Sequence, residues 1–489
     1  MKRVIKLSMM LMLVLTLGAC RKDVINVLPV DQIPVQLAFQ NMNDVNNAIN
    51  GVYGTWQARR SHYISALISD EVRLGTGAQY RNVGFVLFNW QHVSDSQDWR
   101  DAETGGVWTN LYTVIDRANR VLELMVPVVT ADAAEAALKV RYRGEMLAIR
   151  AMAHLELLRN FSRSAEYSAA DSGVVIQREY AKEAATYFPG RSTQGAVMAF
   201  IDSNLIEASS LIPASFTDIS RVTRNAVKAS QVRAALYSKR WQLAVDSANA
   251  VITAQPVTNI TNFPAIWRTK SLASNQSSEV IWKLNVNGSS NLGNAIGSLW
   301  QDVGTGGVQA SPAVKLMGTF DQANDVRYST YFRTPTTTPS APVNLIAKYG
   351  AVSAVSPTEN FEYDVKMIRT AEILLSRAEA YAELDLLTEA NNDLAALRAN
   401  RITGYTHVAI TDKQLLISEI LLERYKELCY EGQRYYDLKR RSLTIARDIS
   451  DVANNTVIQN LPASNSKYIL PIPQQEVFAN PNIGQNPGY

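Results

Sequence analysis

The chain has 489 residues, of which 47% are hydrophobic and 19% are charged, a composition typical of globular proteins rather than disordered ones. It carries 48 Lys and Arg against 45 Asp and Glu, and three of the basic residues, Lys2, Arg3 and Lys6, lie within the first 19 positions. The rest of the chain is balanced in charge. This balance argues against nucleic acid or an anionic membrane surface as the partner, because both bind basic patches.

Residues 1–19 have the pattern of a secretory signal peptide, with a basic start, an apolar run from Leu7 to Leu17 and small residues before Cys20. The apolar run is shorter than the ~20 residues that a membrane-spanning helix needs. A cysteine directly after such a signal predicts lipid attachment, and two or more acyl chains anchor a protein stably. We therefore predict a lipid anchor at Cys20 and a lipidated tether over residues 20–35. Cys429, the other cysteine, then has no partner for an internal disulfide.

Helical periodicity dominates the remaining chain, which we interpret as one domain over residues 36–489. A long helix is predicted within Ala133–Phe161. A second predicted helix, Asn225–Ser238, has small residues at close-packing spacing, and the apolar stripe that starts at Trp241 predicts a third. The last two form a predicted antiparallel hairpin with its turn at Lys239-Arg240.

Two stretches lack this periodicity, one over about residues 67–106 and one over about residues 255–365. The second is rich in Asn, Ser, Thr, Gly and Pro, and its short apolar runs, such as Val280–Leu284, suit isolated strands. Irregular inserts of this length in a compact protein are usually functional. We therefore look for a binding site in these two stretches.

A further hairpin is predicted over Ile368–Arg401, whose length of about 34 residues is the tetratricopeptide period. Thr411 with Gln414 indicates a capping box for a helix that runs to Tyr430, and Gly432 marks its end. Prolines predict an extended C-terminal segment over about residues 461–489. The predicted fold class is mainly all-α: a tetratricopeptide-like helical hairpin scaffold with long irregular loops and a few short strands.

The most specific motif in the chain is Glu423–Arg434, followed by Asp437-Leu438. Further segments of the same character are Asp44–Tyr53, Trp108–Asn119, Glu145–Phe161, Tyr468–Pro473 and the ending Gln485–Tyr489. Together they resemble the SusD/RagB family, the surface glycan-binding lipoproteins of Bacteroidetes.

The resemblance implies a lipoprotein of the outer membrane that faces the cell exterior. It implies binding of an oligosaccharide, or another nutrient oligomer such as a peptide, and delivery to a SusC-like TonB-dependent transporter that the protein covers as a lid. The membrane contact would be the N-terminal lipid, and no catalysis or cofactor is implied, although bound calcium stays open. The alternative is a tetratricopeptide-like interaction module that binds a protein or peptide at the outer membrane.

Four glutamates, Glu419, Glu423, Glu427 and Glu431, recur on one helical face, where like charges repel one another. Cations from neighbouring helices must compensate them, and the candidates are Arg434, Lys439, Arg440, Arg377 and Arg398. We interpret the motif as a structural ion-pair network and not as catalytic carboxylates, which need a shared cleft. The structural motif residues are Glu423, Arg424, Glu427, Glu431, Gly432, Arg434 and Asp437. No metal site is predicted, because the four histidines lack metal-ligand spacing.

A sugar site combines an aromatic platform with planar hydrogen-bonding groups. The two irregular stretches carry such side chains, and we expect them to converge into one surface groove. The candidate ligand-binding residues are Asp70, Arg73, Tyr80, Arg81, Trp90, Trp99, Trp300 and Tyr331. The alternative for each aromatic residue is that it packs a loop onto the helical body.

Overall fold

A computed structural model of the chain describes residues 38–75, 84–94, 103–162, 167–180, 188–273, 278–286, 295–301, 307–334, 343–350, 361–452 and 459–489. The α-helices in these residues are α1 (Met42–Thr55), α2 (Ala58–Ile68), α3 (Phe85–Phe88), α4 (Glu103–Leu124), α5 (Ala133–Phe161), α6 (Gln194–Leu211), α7 (Arg224–Tyr237), α8 (Trp241–Ala254), α9 (Phe263–Arg268), α10 (Val314–Met317), α11 (Val326–Tyr331), α12 (Thr370–Glu383), α13 (Leu387–Ala399), α14 (Lys413–Glu427), α15 (Arg434–Arg440) and α16 (Gln474–Ala479). None of these helices combines the length and the apolar character needed to cross a membrane.

The strands are few and short: β1 (Val72–Arg73), β2 (Val280–Leu284), β3 (Ser311–Pro312), β4 (Phe332–Arg333), β5 (Leu345–Ile346), β6 (Val365–Arg369), β7 (Ile445–Ala446) and β8 (Asn460–Leu461). They form antiparallel two-stranded pairs, β1 with β3, β2 with β6, β4 with β5 and β7 with β8. The predicted fold class, mainly helical with a few short strands, is thus confirmed.

Consecutive long helices pack as antiparallel hairpins. Arg143 in the first half of α5 pairs with Glu207 near the end of α6, and Arg150, two turns further, contacts Asn204. The α7–α8 and α12–α13 hairpins also pack on each other, with Ala235, Ala244 and Ala380 buried between them. Small side chains let helix axes approach closely, which is why these positions carry alanine.

The helix ends follow the expected chemistry with two corrections. The cap of α14 is Asp412, whose side chain accepts a hydrogen bond from Leu415 N–H, and not the predicted Thr411. The helix ends at Glu427 instead of reaching Tyr430, which lies in the left-handed region with φ 63°. Gly432 follows with φ 71°. A Cβ on it would also lie 3.3 Å from the backbone of His62, so glycine suits both the conformation and the contact.

The predicted hairpin over Ile368–Arg401 also begins differently. Met367 and Ile368 lie in β6, which pairs with β2, and α12 starts at Thr370. All five side chains of β6 are buried, and a short apolar run buried on all sides cannot be told from a helix by periodicity alone. The hairpin therefore consists of α12 and α13, with the strand leading into it.

The C-terminal segment crosses the helical body without a long helix, as its prolines predicted. The side chain of Asn486 donates to the carbonyls of Phe161, at the end of α5, and of Leu470, both at 2.8 Å. Gln474 at the start of α16 exchanges two hydrogen bonds with Ser94. The segment thus ties α5 to the end of the first irregular stretch.

Candidate functional site

The two irregular stretches meet in the structure at the pairing of β1 with β3. Arg73 lies opposite Ser311 and Val72 opposite Pro312, and Ala313 N–H donates to the carbonyl of Glu71 at 3.0 Å. A strand of the first stretch thus forms a ladder with a strand of the second, so their loops leave from one seam. We call this seam, β1 with β3, the loop junction.

Asp70 lies directly before the loop junction but is committed to a buried ion pair. Its carboxylate contacts Arg434 Nε at 2.8 Å and Lys315 Nζ at 2.9 Å. Burial opposes ionisation, but the charges and hydrogen bonds of Arg434 and Lys315 outweigh it and hold the pKa of Asp70 well below its usual range. The expectation that Asp70 faces a ligand is corrected: it joins the C-terminal motif to α10.

Trp90 is also buried and acts within the body. Its indole N–H donates to the carbonyl of Ile68 at 2.9 Å, and the guanidinium of Arg447 lies 4.2 Å from the ring centre. Arg447 donates to the carbonyls of Leu67 and Ser69, and so satisfies the C-terminal carbonyls of α2. Trp90 therefore packs against the guanidinium that caps α2, and the prediction that its ring is exposed for stacking on a sugar is corrected.

Trp300 and Tyr331 are completely buried, so the predicted sugar contacts are corrected here too. Trp300 packs between Tyr63 and Tyr430, with ring centres at 6.5 and 5.6 Å. Tyr331 donates its hydroxyl to the carbonyl of Glu427 at 3.2 Å. Both aromatic side chains pack the second irregular stretch onto the helical body.

Arg73 is the candidate that the structure leaves half-buried at the loop junction. Its Nε has no hydrogen-bond acceptor in the described part of the chain, while the nearby carboxylate of Asp451 accepts the N–H groups of Val314 and Lys315. Tyr80, Arg81 and Trp99 lie outside the described residues, as does Cys20. Arg73 therefore remains a candidate contact, and the structure leaves the candidates Tyr80, Arg81 and Trp99 untested.

Glu423, Glu427 and Glu431 lie in a buried charge network, and Glu419 lies at its half-exposed edge. Glu427 contacts Arg369 at 2.9 Å, Arg327 at 3.0 Å and Arg401 at 3.1 Å. Glu431 contacts Lys348 and Arg369 at 2.7 and 2.6 Å. Glu423 contacts Arg327 and Arg398 at 2.6 and 2.7 Å, and Glu419 contacts Arg398 at 2.8 Å.

These contacts keep the carboxylates of Glu423, Glu427 and Glu431 ionised despite their burial. Burial would raise the pKa of Glu423, but Arg327, Lys426 and Arg398 bring it down to about 2. Burial would also raise the pKa of Glu427, but the charges of Arg401, Arg369 and Arg327 outweigh it and hold that pKa well below normal. A general acid for glycoside cleavage needs the opposite shift, toward a raised pKa, and a cleft that admits substrate.

The cations that balance the motif are mostly not those suggested by the sequence. Arg398 does contact the glutamates, but Arg377 pairs with Asp393, Arg434 with Asp70, and Arg440 with Glu379 and Asp437. Lys439 donates to the carbonyl of Arg159. Asp437 also accepts from Arg424 at 2.9 Å.

Sequence reasoning missed Arg327, Lys348, Arg369 and Arg401, which come from the second irregular stretch and from the two ends of the α12–α13 hairpin. One signal was available for Arg369, which directly follows the apolar strand residues Met367 and Ile368. A cation at such a place has to find a buried partner.

Within the described residues, no three side chains of His, Cys, Asp or Glu are grouped so that they could hold a metal ion. His62 and His154 contact carbonyls one helical turn earlier in the chain, and His407 lies between Tyr405 and Asn391. Cys429 is buried as a free thiol, and burial raises its pKa to about 12.

Two family models match the chain. The model of the SusD family covers residues 313–489, and a model described as starch-binding, associating with outer membrane, covers residues 38–236. A curated relative, SusD-like protein P2 of Formosa agariphila, is 32% identical over 158 residues. That match covers 29% of this chain and spans 30% of the length of the relative.

Solved structures share the fold over almost the whole chain. A SusD superfamily protein of Bacteroides thetaiotaomicron VPI-5482 is 22% identical, with a TM-score of 0.78 over 91% of this chain and 100% of that one. A SusD-like carbohydrate binding protein of Bacteroides vulgatus ATCC 8482 is 19% identical, with a TM-score of 0.75 over 91% and 98% of the two chains.

The fold and the buried motif define a class of protein. It is a mainly helical scaffold of tetratricopeptide-like hairpins that is held together by internal ion pairs and carries loop-rich inserts. The chain is similar to the SusD family, also called SusD/RagB, over residues 313–489, and over residues 38–236 to a model described as starch-binding and associating with outer membrane.

Proposed function

We propose that this protein is a lipoprotein of the outer membrane surface that binds oligosaccharide and passes it to a SusC-like TonB-dependent transporter. Cys20 carries the lipid anchor, and the body covers the transporter as a lid. Binding is reversible and needs no energy input from the protein itself. No bond is broken in this proposal, so the sugar that is captured is the sugar that is delivered.

The observation that carries the proposal is the match of residues 38–236 to a family model described as starch-binding and associating with the outer membrane. Those residues include Asp70–Arg73, which lead into the loop junction. We therefore assign the sugar site to the loops that leave this junction, with Arg73, Tyr80, Arg81 and Trp99 as contacts. A guanidinium offers a planar fork of donors to sugar hydroxyls, and an indole offers an apolar face to a pyranose ring.

The experiment is a glycan array on the mature protein with Cys20→Ser, followed by calorimetry with the oligosaccharides retained. We expect α-glucan oligosaccharides among them, because the family model is described as starch-binding. Trp99→Ala should abolish binding with an unchanged thermal midpoint. Trp241→Ala is the matched control, since this half-buried tryptophan lies on α8 beside Arg441 and away from the loop junction.

Two results would overturn the proposal. Retention of peptides in place of glycans would favour the alternative, a repeat module that binds protein or peptide. Release of shorter sugars from a bound oligosaccharide would show that the protein is an enzyme. Chromatography of the calorimetry samples detects such a release.

A further inference from the structure

A small cavity lies between α5, α7 and the β2–β6 pair, with room for about one water molecule. Met152 and Leu155 of α5 and Met367 of β6 line it with apolar groups. Glu156 of α5 and Trp282 of β2 bring polar groups to the same space. A cavity with apolar walls alone stays dry, so the polar groups decide whether this one holds a ligand.

Two of the polar groups that line the cavity have an atom without a partner. Trp282 is 1% exposed, and its indole N–H has no acceptor among the described residues. Oε2 of Glu156 is also shielded from solvent and accepts no hydrogen bond within the described ranges. Its other oxygen, Oε1, accepts from Arg159 at 3.3 Å. A buried donor and a buried acceptor that stay unpaired are costly, and an ordered water is a usual way to satisfy them.

Ser230 supplies a third polar contact, from α7. Its hydroxyl donates to the carbonyl of Ala226 at 2.9 Å, and the lone pairs of its oxygen can still accept. A water molecule in the cavity would thus accept from the indole N–H of Trp282 and donate to Glu156 and Ser230. Three hydrogen bonds are typical of a buried water.

The charges around the cavity favour a neutral ligand. The carboxylate of Glu156 opposes an anion, and the guanidinium groups of Arg159 and Arg233, which also line the cavity, oppose a cation. Both guanidinium groups are bound elsewhere, since Arg233 donates to Glu372 at 2.6 and 2.7 Å and Arg159 to Gln433 at 2.8 Å. The ligand must therefore be neutral, able to donate as well as accept, and no larger than water.

We propose that an ordered water molecule binds in this cavity and bridges Trp282 of β2 to Glu156 of α5 and Ser230 of α7. Trp56 packs edge-on against Trp282, with ring centres 5.5 Å apart, and so supports the indole in this position. Because β2 belongs to the second irregular stretch, the water ties that stretch to the helical body. The proposal concerns the scaffold and does not depend on which ligand the loops bind.

Nuclear magnetic resonance of the indole N–H groups tests the proposal. The mature protein with Cys20→Ser is labelled with isotope-enriched tryptophan, and Trp282→Phe assigns the indole signal of Trp282 by its loss. A rotating-frame Overhauser cross-peak from water to an indole proton detects a bound water, and its sign distinguishes binding from proton exchange. Trp90 is the matched control, because its buried indole N–H donates to the carbonyl of Ile68 at 2.9 Å.

We expect the cross-peak of a bound water at Trp282 and none at Trp90. Glu156→Met keeps the length of the side chain but removes the acceptor, so the cross-peak at Trp282 should become several-fold weaker. Absence of the cross-peak in the parent protein would overturn the proposal, whether or not the variant folds. A cross-peak of full strength in Glu156→Met would overturn the bridge to α5. An indole signal of Trp282 that shifts as chloride is added at constant ionic strength would assign an anion in place of water.

Discussion

Arg369 ends β6 and places Nη1 2.9 Å from Oε1 of Glu427, the last residue of α14. Its second terminal nitrogen contacts Glu431 at 2.6 Å. One guanidinium thus joins the strand before the α12–α13 hairpin to two positions of the C-terminal motif. Because none of these groups is open to water, the pair depends on its geometry and on the other charges around it.

Glu427→Gln should destabilise the protein by about 3–5 kcal/mol, because removal of one partner leaves buried charge uncompensated on Arg327, Arg369 and Arg401. Urea unfolding monitored by circular dichroism measures the change. Glu419→Gln is the matched control. Its side chain is 32% exposed and pairs with Arg398 in the described part of the chain, so a loss of only about 0–1 kcal/mol is expected. A Glu427→Gln protein as stable as the control variant would contradict a structural role for the motif.

Trp300→Ala should cost about 3–5 kcal/mol, because it removes a fully buried indole and leaves a cavity between Tyr63 and Tyr430. The thermal midpoint falls accordingly. Oligosaccharide affinity, measured below that midpoint, should stay within a few-fold of the parent protein. An unchanged midpoint with lost binding would return Trp300 to the sugar site.

Glu71→Gln tests a buried carboxyl group. Burial raises the pKa of Glu71 to about 8, although Tyr430 N–H donates to its Oε1 at 3.0 Å. The unfolded chain releases this proton near pH 4.5, whereas the folded protein holds it up to about pH 8. The contribution of Glu71 to the free energy of unfolding is therefore fully present below pH 4.5 and is lost as the pH rises toward 8. The amide of glutamine also accepts the Tyr430 N–H but carries no titrating proton.

The stability of Glu71→Gln relative to the parent protein should therefore increase between pH 4.5 and pH 8, by at most about 1.4 kcal/mol per pH unit. Urea unfolding at pH 4.5, 6 and 8 measures the difference. Glu389→Gln, at an exposed position of α13, should show no such trend. A difference for Glu71→Gln that is constant across this range would mean that Glu71 is ionised in the folded protein.

Lys366→Met should stabilise the protein at pH 7 by about 1–4 kcal/mol, the range for replacing buried ionic groups by apolar ones. Lys366 is 1% exposed, and its Nζ has no hydrogen-bond partner in the part of the chain that the structure describes. Burial lowers its pKa to about 7. Its contribution to stability is therefore full above the ordinary lysine pKa and is lost as the pH falls toward 7, so the gain from methionine should shrink as the pH rises toward 10.

Lys348→Met is the matched control for this substitution. Lys348 is equally buried but donates to the carbonyls of Glu427 and Cys429 and to Glu431, at 3.0, 2.8 and 2.7 Å. The same change should therefore destabilise at every pH. If both variants lose stability alike, the Lys366 ammonium has a partner that offsets its burial.

Local patterns in the sequence predicted the helical elements well. The long helix predicted within Ala133–Phe161 fills that range, and the hairpin turn at Lys239-Arg240 lies between α7 and α8 as expected. Helix periodicity and turn residues are properties of neighbouring positions, so a sequence displays them directly. The predicted start of the hairpin was wrong because β6 is buried on both faces, so the strand lacks the alternation of polar and apolar residues that identifies a half-buried strand.

The tertiary partners could not be predicted in the same way. Glu427 required buried cations, but Arg327 lies 100 residues away from it in sequence, and nothing local connects the two. Trp90 and Trp300 occur in irregular, polar surroundings that favour exposure, yet Arg447 and Tyr430 approach them from distant parts of the chain. Whether an aromatic residue in a loop faces ligand or core depends on such contacts and not on its neighbours.

In the proposed function, the protein captures sugar for a transporter in the same membrane. Affinity purification of the tagged, lipidated protein from detergent-solubilised outer membranes, with mass spectrometry of the eluate, tests it most directly. We expect a TonB-dependent transporter in near-stoichiometric amount in the eluate. In the Cys20→Ser variant, which cannot be anchored, we expect less transporter to be recovered with the protein. Recovery of the anchored protein without any transporter would contradict the account.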